Sequence, residues 1–263
     1  MTGQPIIFLS VFKSGTHLVR RILEDMTGLP FFEPPIVAGK VNYQDAGQLI
    51  HKKGHFYSWH LFPTPEVCQK LVEMKAKPIF LLRNIYDLPV SMYYHFANNI
   101  DVEIGRGRNV DAYFRAMSRE EGLSAIISGM ERVDFRWRGT GPHYQQMALM
   151  LEFANQYPCF VTSFERINTQ KAEEVVRLGD FLELPLSQER VTTILHNSGF
   201  QVMKETSLSG SHFRKGQAGS HADELNQEHV VLIQQQLATH APQLAQLVAQ
   251  AQLPEILARH GQL

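Results

Sequence analysis

Continuous apolar runs and helically spaced ones alternate along this chain. Pro5 to Leu9 is a nearly unbroken hydrophobic segment, the pattern of a strand buried on both faces of a parallel sheet. After Lys13-Ser14-Gly15-Thr16 the period changes. Leu18, Val19, Ile22, Leu23 and Met26 fall on one helical stripe, with Arg20, Arg21, Glu24 and Asp25 on the polar one. Phe31 to Lys53 reads as loop, with Pro34-Pro35, Gly39 and Gly47. Gly54 to Leu61 alternates like a strand, and Pro63-Thr64-Pro65-Glu66 opens a helix through Met74. Pro78 to Leu82 is the second buried strand; Asp87 is the expected N-cap of the helix after it, with Pro89 in its first turn. Residues 100–157 hold a Gly/Arg-rich turn, two expected helices and the patch RVDFRWRGTGPHY, in which His143 has no evident role. The next strand, Pro158 to Ser163, precedes amphipathic helices over Lys171 to Glu183 and Ser187 to Asn197. Thr206 to Ala222 is Gly/Ser-rich and reads as mobile, Asp223 or Glu224 is expected to cap a helix to about Leu237, and Pro242 starts another. The pattern predicts an α/β fold: one domain over residues 1–263, with a central, mainly parallel sheet flanked by helices.

The Lys13 turn lies where a strand's carboxyl end feeds a helix N-terminus. Unpaired backbone N–H groups and the helix dipole converge there, which suits an anion. Lys13 adds positive charge, Ser14 and Thr16 add hydroxyls, and Gly15 lets a guest approach the backbone. A phosphate or a sulfate is the expected guest. On these residues alone an ordinary polar turn remains open.

Composition narrows the field. The 263 residues are 44% hydrophobic, enough for a large core. Lys+Arg at 25 against Asp+Glu at 26 gives a formal net charge of -1, so no global basic field recruits nucleic acid or membrane. The N-terminal MTGQPIIFLSVFKSG has no basic start and too short an apolar run for a signal peptide or a membrane span, so a cytoplasmic protein without a transmembrane segment is expected. Cys68 and Cys159 match no metal or redox spacing and are expected to be reduced, buried and inert. His51, His55 and His60 lack a zinc-site pattern, because Gly54 breaks the helical spacing and no acidic third ligand accompanies them; no metal is expected.

Two further residues emerge at strand ends, His60 in the Gly54 to Leu61 segment and Arg83 after PIFLL, with Ser91 one helical turn beyond. A P-loop kinase of small molecules would carry glycines ahead of Lys13 and an aspartate after PIFLL to hold Mg²⁺. The chain has neither there.

FKSGTHL resembles the PKSGTTW loop of the sulfotransferases that use 3′-phosphoadenosine 5′-phosphosulfate (PAPS), and RNIYDLPVS is similar to their RNxxDxxVS motif. WHLFP stands where that family's histidine-bearing segment lies, SGFQVMK is similar to its TSFxxMK segment, and FRKGQAG to its FxRKGxxG lid. The resemblance, from about Pro5 to Gly219, implies a P-loop-like nucleotide site for the donor PAPS and the product 3′-phosphoadenosine 5′-phosphate (PAP). It implies that Lys13, Ser14, Gly15, Thr16 and His17 hold the phosphosulfate, and that Arg83, Ser91, Arg214, Lys215 and Gly216 hold the 3′-phosphate. Ser198, Phe200 and Phe164 would surround the adenine. His60 would be the general base and Lys13 the stabiliser of the leaving phosphate. The implied partner is a small-molecule or lipid hydroxyl acceptor; a PAP-binding module without turnover is the alternative. The chain departs from the family pattern at Ser58, where a lysine is usual, at Leu18, where tryptophan follows the loop, and at Phe164, where tyrosine is usual. The dimer motif of cytosolic relatives is not apparent, which leaves the oligomeric state open.

Overall fold

A computed structural model describes residues 4–34, 43–98, 110–133, 135–206 and 219–250. Its centre is a parallel five-stranded sheet. The strands are β1 (Ile6–Ser10), β2 (Phe31–Phe32), β3 (Phe56–Trp59), β4 (Lys77–Leu82) and β7 (Phe160–Ser163), in the order β2-β3-β1-β4-β7. A short antiparallel pair, β5 (Met130–Glu131) and β6 (Arg136–Trp137), lies apart from it. Register fixes which side chains share a face. Leu9 stands beside Trp59 and Phe80, and Phe8 beside Ser58 and Ile79.

Both faces are covered, which is why the strands read as continuous apolar runs. Ile7, Leu9, Tyr57, Trp59, Phe80 and Val161 point into one core, and Phe8, Phe56, Ile79, Leu81 and Phe160 into the other. The second core is closed by α1 (Thr16–Thr27), α8 (Lys171–Phe181) and α9 (Gln188–Asn197). The first is closed by α2 (Pro65–Glu73), α3 (Asp87–Ala97), α4 (Val110–Arg115), α5 (Arg119–Ser128), α6 (Gly141–Ala154), α11 (Gln227–His240) and α12 (Pro242–Ala249). Two short helices, α7 (Phe164–Thr169) and α10 (Phe200–Thr206), follow β7 and α9. β1 lies between β3 and β4, so the carboxyl ends of these three strands share one edge, where the chain switches from one side of β1 to the other. Ligands of open α/β sheets bind at that crevice.

Four expectations are corrected. Phe31–Phe32 pairs in parallel with β3 as an edge strand, and Ala46–Gln48 forms a 3-10 turn, inside the stretch expected as loop. Within residues 110–157 three helices are described, where two were expected for residues 100–157. Helix α11 is capped by Asn226, whose side chain accepts from His229 N–H while the His229 ring accepts from Asn226 N–H. That reciprocal pair sets the start later than Asp223 or Glu224. Arg20 was expected in the solvated stripe of α1 but is 6% exposed. Its position, four residues after Thr16 and three before Leu23, aligns with buried neighbours. Its guanidinium pairs with Glu33, lies 4.3 Å over the Phe31 ring and donates from Nε to Ser58 Oγ at 2.7 Å. Ser58 leaves room for that contact.

Candidate active site

The Lys13 turn is built from backbone geometry that few sequences tolerate. Lys13 has φ 65° and Gly15 φ 94°, both left-handed, and Gly15 caps α1. Lys13 carries about 1–2 kcal/mol of cost in that region. A Cβ on Gly15 would come within 2.5 Å of the Phe164 ring. Ser14 closes the turn: its N–H donates to the Val11 carbonyl at 3.1 Å and its hydroxyl to the same oxygen at 2.6 Å. The expected Ser14 hydroxyl contact with an anion is therefore already spent inside the loop. Thr16 opens α1, and the Gly15 carbonyl accepts from Leu18 N–H at 3.0 Å and from Val19 N–H at 3.4 Å. His17 is exposed next to Thr16.

Lys13 and Arg83 meet directly. Arg83 donates to the Lys13 carbonyl at 2.6 Å, and its guanidinium lies 4.3 Å over the Phe164 ring. One buried cation thus fixes the strained residue, the strand tip of β4 and the ring under Gly15. Lys13 Nζ lies 3.3 Å from His95 Nδ1. Ser91 and His95 are four residues apart on α3 and so share a face toward the loop.

Asp87 does not cap its own helix. Asn84 Oδ1 accepts from Tyr86 N–H at 2.8 Å and from Asp87 N–H at 3.2 Å, which serves that end. The Asp87 carboxylate accepts from Gly219 N–H at 2.7 Å, His221 N–H at 3.0 Å and His221 Nδ1 at 3.0 Å. Burial pushes the Asp87 carboxyl up, but those hydrogen bonds outweigh it and hold its pKa below the ordinary 3.8. Burial also raises the neighbouring Glu165 carboxyl, against hydrogen bonds including one from the Asn84 backbone and the charge of Arg83.

On the other side of β1 stands His60. Its Nδ1 lies 2.9 Å from the Ser10 carbonyl oxygen and 3.1 Å from Ser10 Oγ, which in turn is 2.9 Å from Thr16 Oγ1. A carbonyl only accepts, so the neutral imidazole carries its proton on Nδ1 and its lone pair on Nε2. Gln146, fully buried on α6, donates from Nε2 to the carbonyls of His60 at 3.0 Å, Leu61 at 3.2 Å and Ser10 at 3.4 Å. Helix α6 is itself anchored by Tyr144, whose hydroxyl donates to the Ile85 carbonyl at 2.9 Å. Phe12 lies against three imidazoles, 5.6 Å from the His60 ring, 5.1 Å from His95 and 6.2 Å from His143. Tyr43 and Trp59 lie 6.3 and 6.0 Å from His60.

The structure thus brings Lys13, Gly15, Thr16, His17, Arg83, Ser91 and His60 to one sheet edge. Ser198 is different. It is fully buried, and its hydroxyl donates to the Ile194 carbonyl at 2.7 Å, as a helix-end cap rather than at an open surface. Phe200 begins α10 and is exposed. Arg214, Lys215 and Gly216 lie outside the described residues. Phe164, expected near an adenine, is buried under Gly15 and Arg83. Sequence reasoning missed Ser10, Asn84, His95, His143 and Gln146. Ser10, at the last position of the strand before the loop, and Asn84, inside the RNIYDLPVS motif, carried a positional signal. Cys159 is buried and Cys68 half-buried, both unpaired, and burial pushes their thiols up to about 12 and about 11. No group of three His, Cys, Asp or Glu among the described residues could hold a metal ion, and none of their helices is long and apolar enough to cross a membrane.

Comparison with known proteins places this arrangement. The chain is 27% identical to rat sulfotransferase 1A1 over 141 residues, 54% of this chain and 42% of that protein. Its alignment with mouse sulfotransferase 1B1 likewise spans only 40% of the relative, at 28% identity over 52% of this chain. Human sulfotransferase 2A1 is 24% identical over 216 residues, 78% of this chain and 68% of that protein. Among solved structures, mouse sulfotransferase SULT7A1 complexed with PAP superposes with a TM-score of 0.63 at 16% identity, covering 94% of this chain and 88% of that one. Retinol dehydratase in complex with androsterone and inactive cofactor PAP gives 0.57 at 14%, covering 90% and 80%. These likenesses show the fold. The family model of the sulfotransferase domain matches residues 4–244, and the chain belongs to that family.

Proposed function

We propose that this chain is a single sulfotransferase domain that moves a sulfonate group from PAPS to a hydroxyl acceptor by in-line displacement. The observation that carries this reading is the His60 contact. Its Nδ1 donates to the carbonyl of Ser10, the last residue of the strand that runs into the Lys13 loop, so a base and an anion cradle are held at one strand tip. The residues suit a doubly anionic nucleotide. Lys13, the positive N-terminal end of the α1 dipole and the left-handed Gly15 fit one charged end, and Arg83 with Ser91 fits the other.

The donor supplies a sulfonate activated by a phosphate leaving group. His60 Nε2 takes the acceptor's hydroxyl proton as the new oxygen–sulfur bond forms, a role worth ~10²- to 10⁴-fold. Lys13 and the positive end of the α1 dipole oppose the charge that grows on the departing phosphate oxygen as the old bond breaks. Gln146 and Ser10 keep the imidazole aimed.

Incubation with sulfur-labelled PAPS, without metal, and a panel of alcohols and phenols tests the reading. Transfer of label that requires His60 supports it. PAP binding with no transfer to any alcohol would leave a non-catalytic binding module, and turnover of ATP with Mg²⁺ in place of PAPS would make the chain a kinase.

A further inference from the structure

His143, near the start of α6, is the site's unexplained residue. Its ring lies nearly parallel to Trp137 (5.5 Å, 25°) and to Phe12 (6.2 Å, 29°), so two aromatic faces fix its plane. Trp137 is itself pinned by its Nε1, which donates to the Ile126 carbonyl at 2.7 Å. Nδ1 of His143 is buried and has no hydrogen-bond partner among the described residues. The residue nevertheless keeps partial exposure. Strong desolvation, with a smaller effect from His60, lowers its pKa to about 3. The residue is thus covered on its ring faces and open to solvent at part of its surface. Phe12 touches both His60 and His143, so the two imidazoles are no further apart than its two ring spacings added together.

A ring needed for packing alone could be phenylalanine. An imidazole kept neutral offers one donor and one acceptor nitrogen, and leaving Nδ1 unmet in these surroundings costs stability. The cost is recovered if a ligand meets it. Resting on the sulfotransferase reading above, we propose that His143 selects the acceptor: an apolar alcohol or phenol carrying, beside the hydroxyl that faces His60, a second uncharged hydroxyl or carbonyl that hydrogen-bonds to the His143 ring.

Neutrality follows from charge. A carboxylate would favour a protonated His143, which desolvation and the imidazolium formed at His60 both oppose. An ammonium group would meet that same imidazolium.

Calorimetric titration of the chain saturated with PAP tests this without requiring turnover. The probes are naphthol, dihydroxynaphthalenes and hydroxynaphthoic acid, with kcat and KM measured beside them for each compound that is sulfonated. The best dihydroxy compound is expected to bind about tenfold more tightly than naphthol. His143→Phe, which keeps the ring, should erase that advantage while changing naphthol affinity no more than about twofold, and His143→Gln should restore part of it. Thermal melting with PAP checks that each variant is folded. Equal losses on both compound types, no loss on either, tightest binding of the acid, or no binding of any probe would overturn the inference. PAP affinity and label transfer intact alongside such a result leave the sulfotransferase reading standing. Absence of PAP binding removes that reading and the inference with it.

Discussion

The two sides of the β1 tip are built from opposite materials. Toward β4, positive charge gathers: Lys13 in a left-handed conformation, Arg83 donating to its carbonyl, and the first turn of α1. Toward β3, the named contacts of His60 are neutral: the Ser10 carbonyl and hydroxyl, a Gln146 amide below, and the rings of Phe12, Tyr43 and Trp59. Under the proposed reading, the first side takes the guest that brings negative charge. The second holds the proposed base by its own hydrogen bonds among aromatic rings. A group-transfer site needs both, because the leaving group gains charge while the nucleophile loses a proton. Ser10 Oγ, between Thr16 Oγ1 and His60 Nδ1, is where the two sides touch.

Breaking the neutral side at its base should have the largest effect. His60→Ala is expected to lower kcat by ~10²- to 10⁴-fold, read by label transfer, while PAP affinity stays nearly constant. A mutant with unchanged kcat would remove His60 from the chemistry.

On the charged side, Gly15→Ala should be the most damaging single methyl group. It meets φ 94° and a Phe164 carbon at 2.5 Å. A loss of ~1–3 kcal/mol, shared between folding and PAP affinity, is expected in calorimetry and denaturant titration. Wild-type values on both would mean that the loop relaxes freely.

Asp87→Asn probes the strap that joins the charged side to Gly219–His221. The native carboxyl pKa lies below 3.8, so its contribution is complete above that value and fades as the pH falls through the folded pKa. Unfolding at pH 7 should show ~1.5–3 kcal/mol of destabilisation, and the gap should narrow at about pH 3. A gap that widens in acid would reverse the sign argued here.

The smallest expected effect sharpens the boundary itself. Ser10→Ala keeps the carbonyl and deletes the hydroxyl between Thr16 and His60, so ~0.5–1.5 kcal/mol should appear in kcat with little change in KM. A change confined to KM would assign Ser10 to acceptor binding.

The sheet, its order of chemistry-bearing turns and the Lys13–Arg83 neighbourhood were legible, because buried parallel strands leave long apolar runs and the functional residues follow them directly. Side-chain assignments that depend on a distant partner were not. Arg20 reads as a solvated helix residue until Ser58, 38 positions on, supplies the gap it fills. Asp87 reads as a cap until Gly219 and His221 are brought to it. Ser14 and Ser198 carry the hydroxyls expected of a binding site, yet both donate to local carbonyls, a competition that spacing cannot reveal. Gln146 and His143 lie on a helix whose pattern is dominated by core residues, and their relation to His60 exists only in three dimensions.

The most direct test is the rate of label transfer from PAPS to an alcohol or phenol, measured for the wild type and for His60→Ala at matched PAP affinity. Metal-independent transfer that collapses in the variant is the expected result. Undiminished transfer without the imidazole, or no transfer by a chain that binds PAP, would contradict the account.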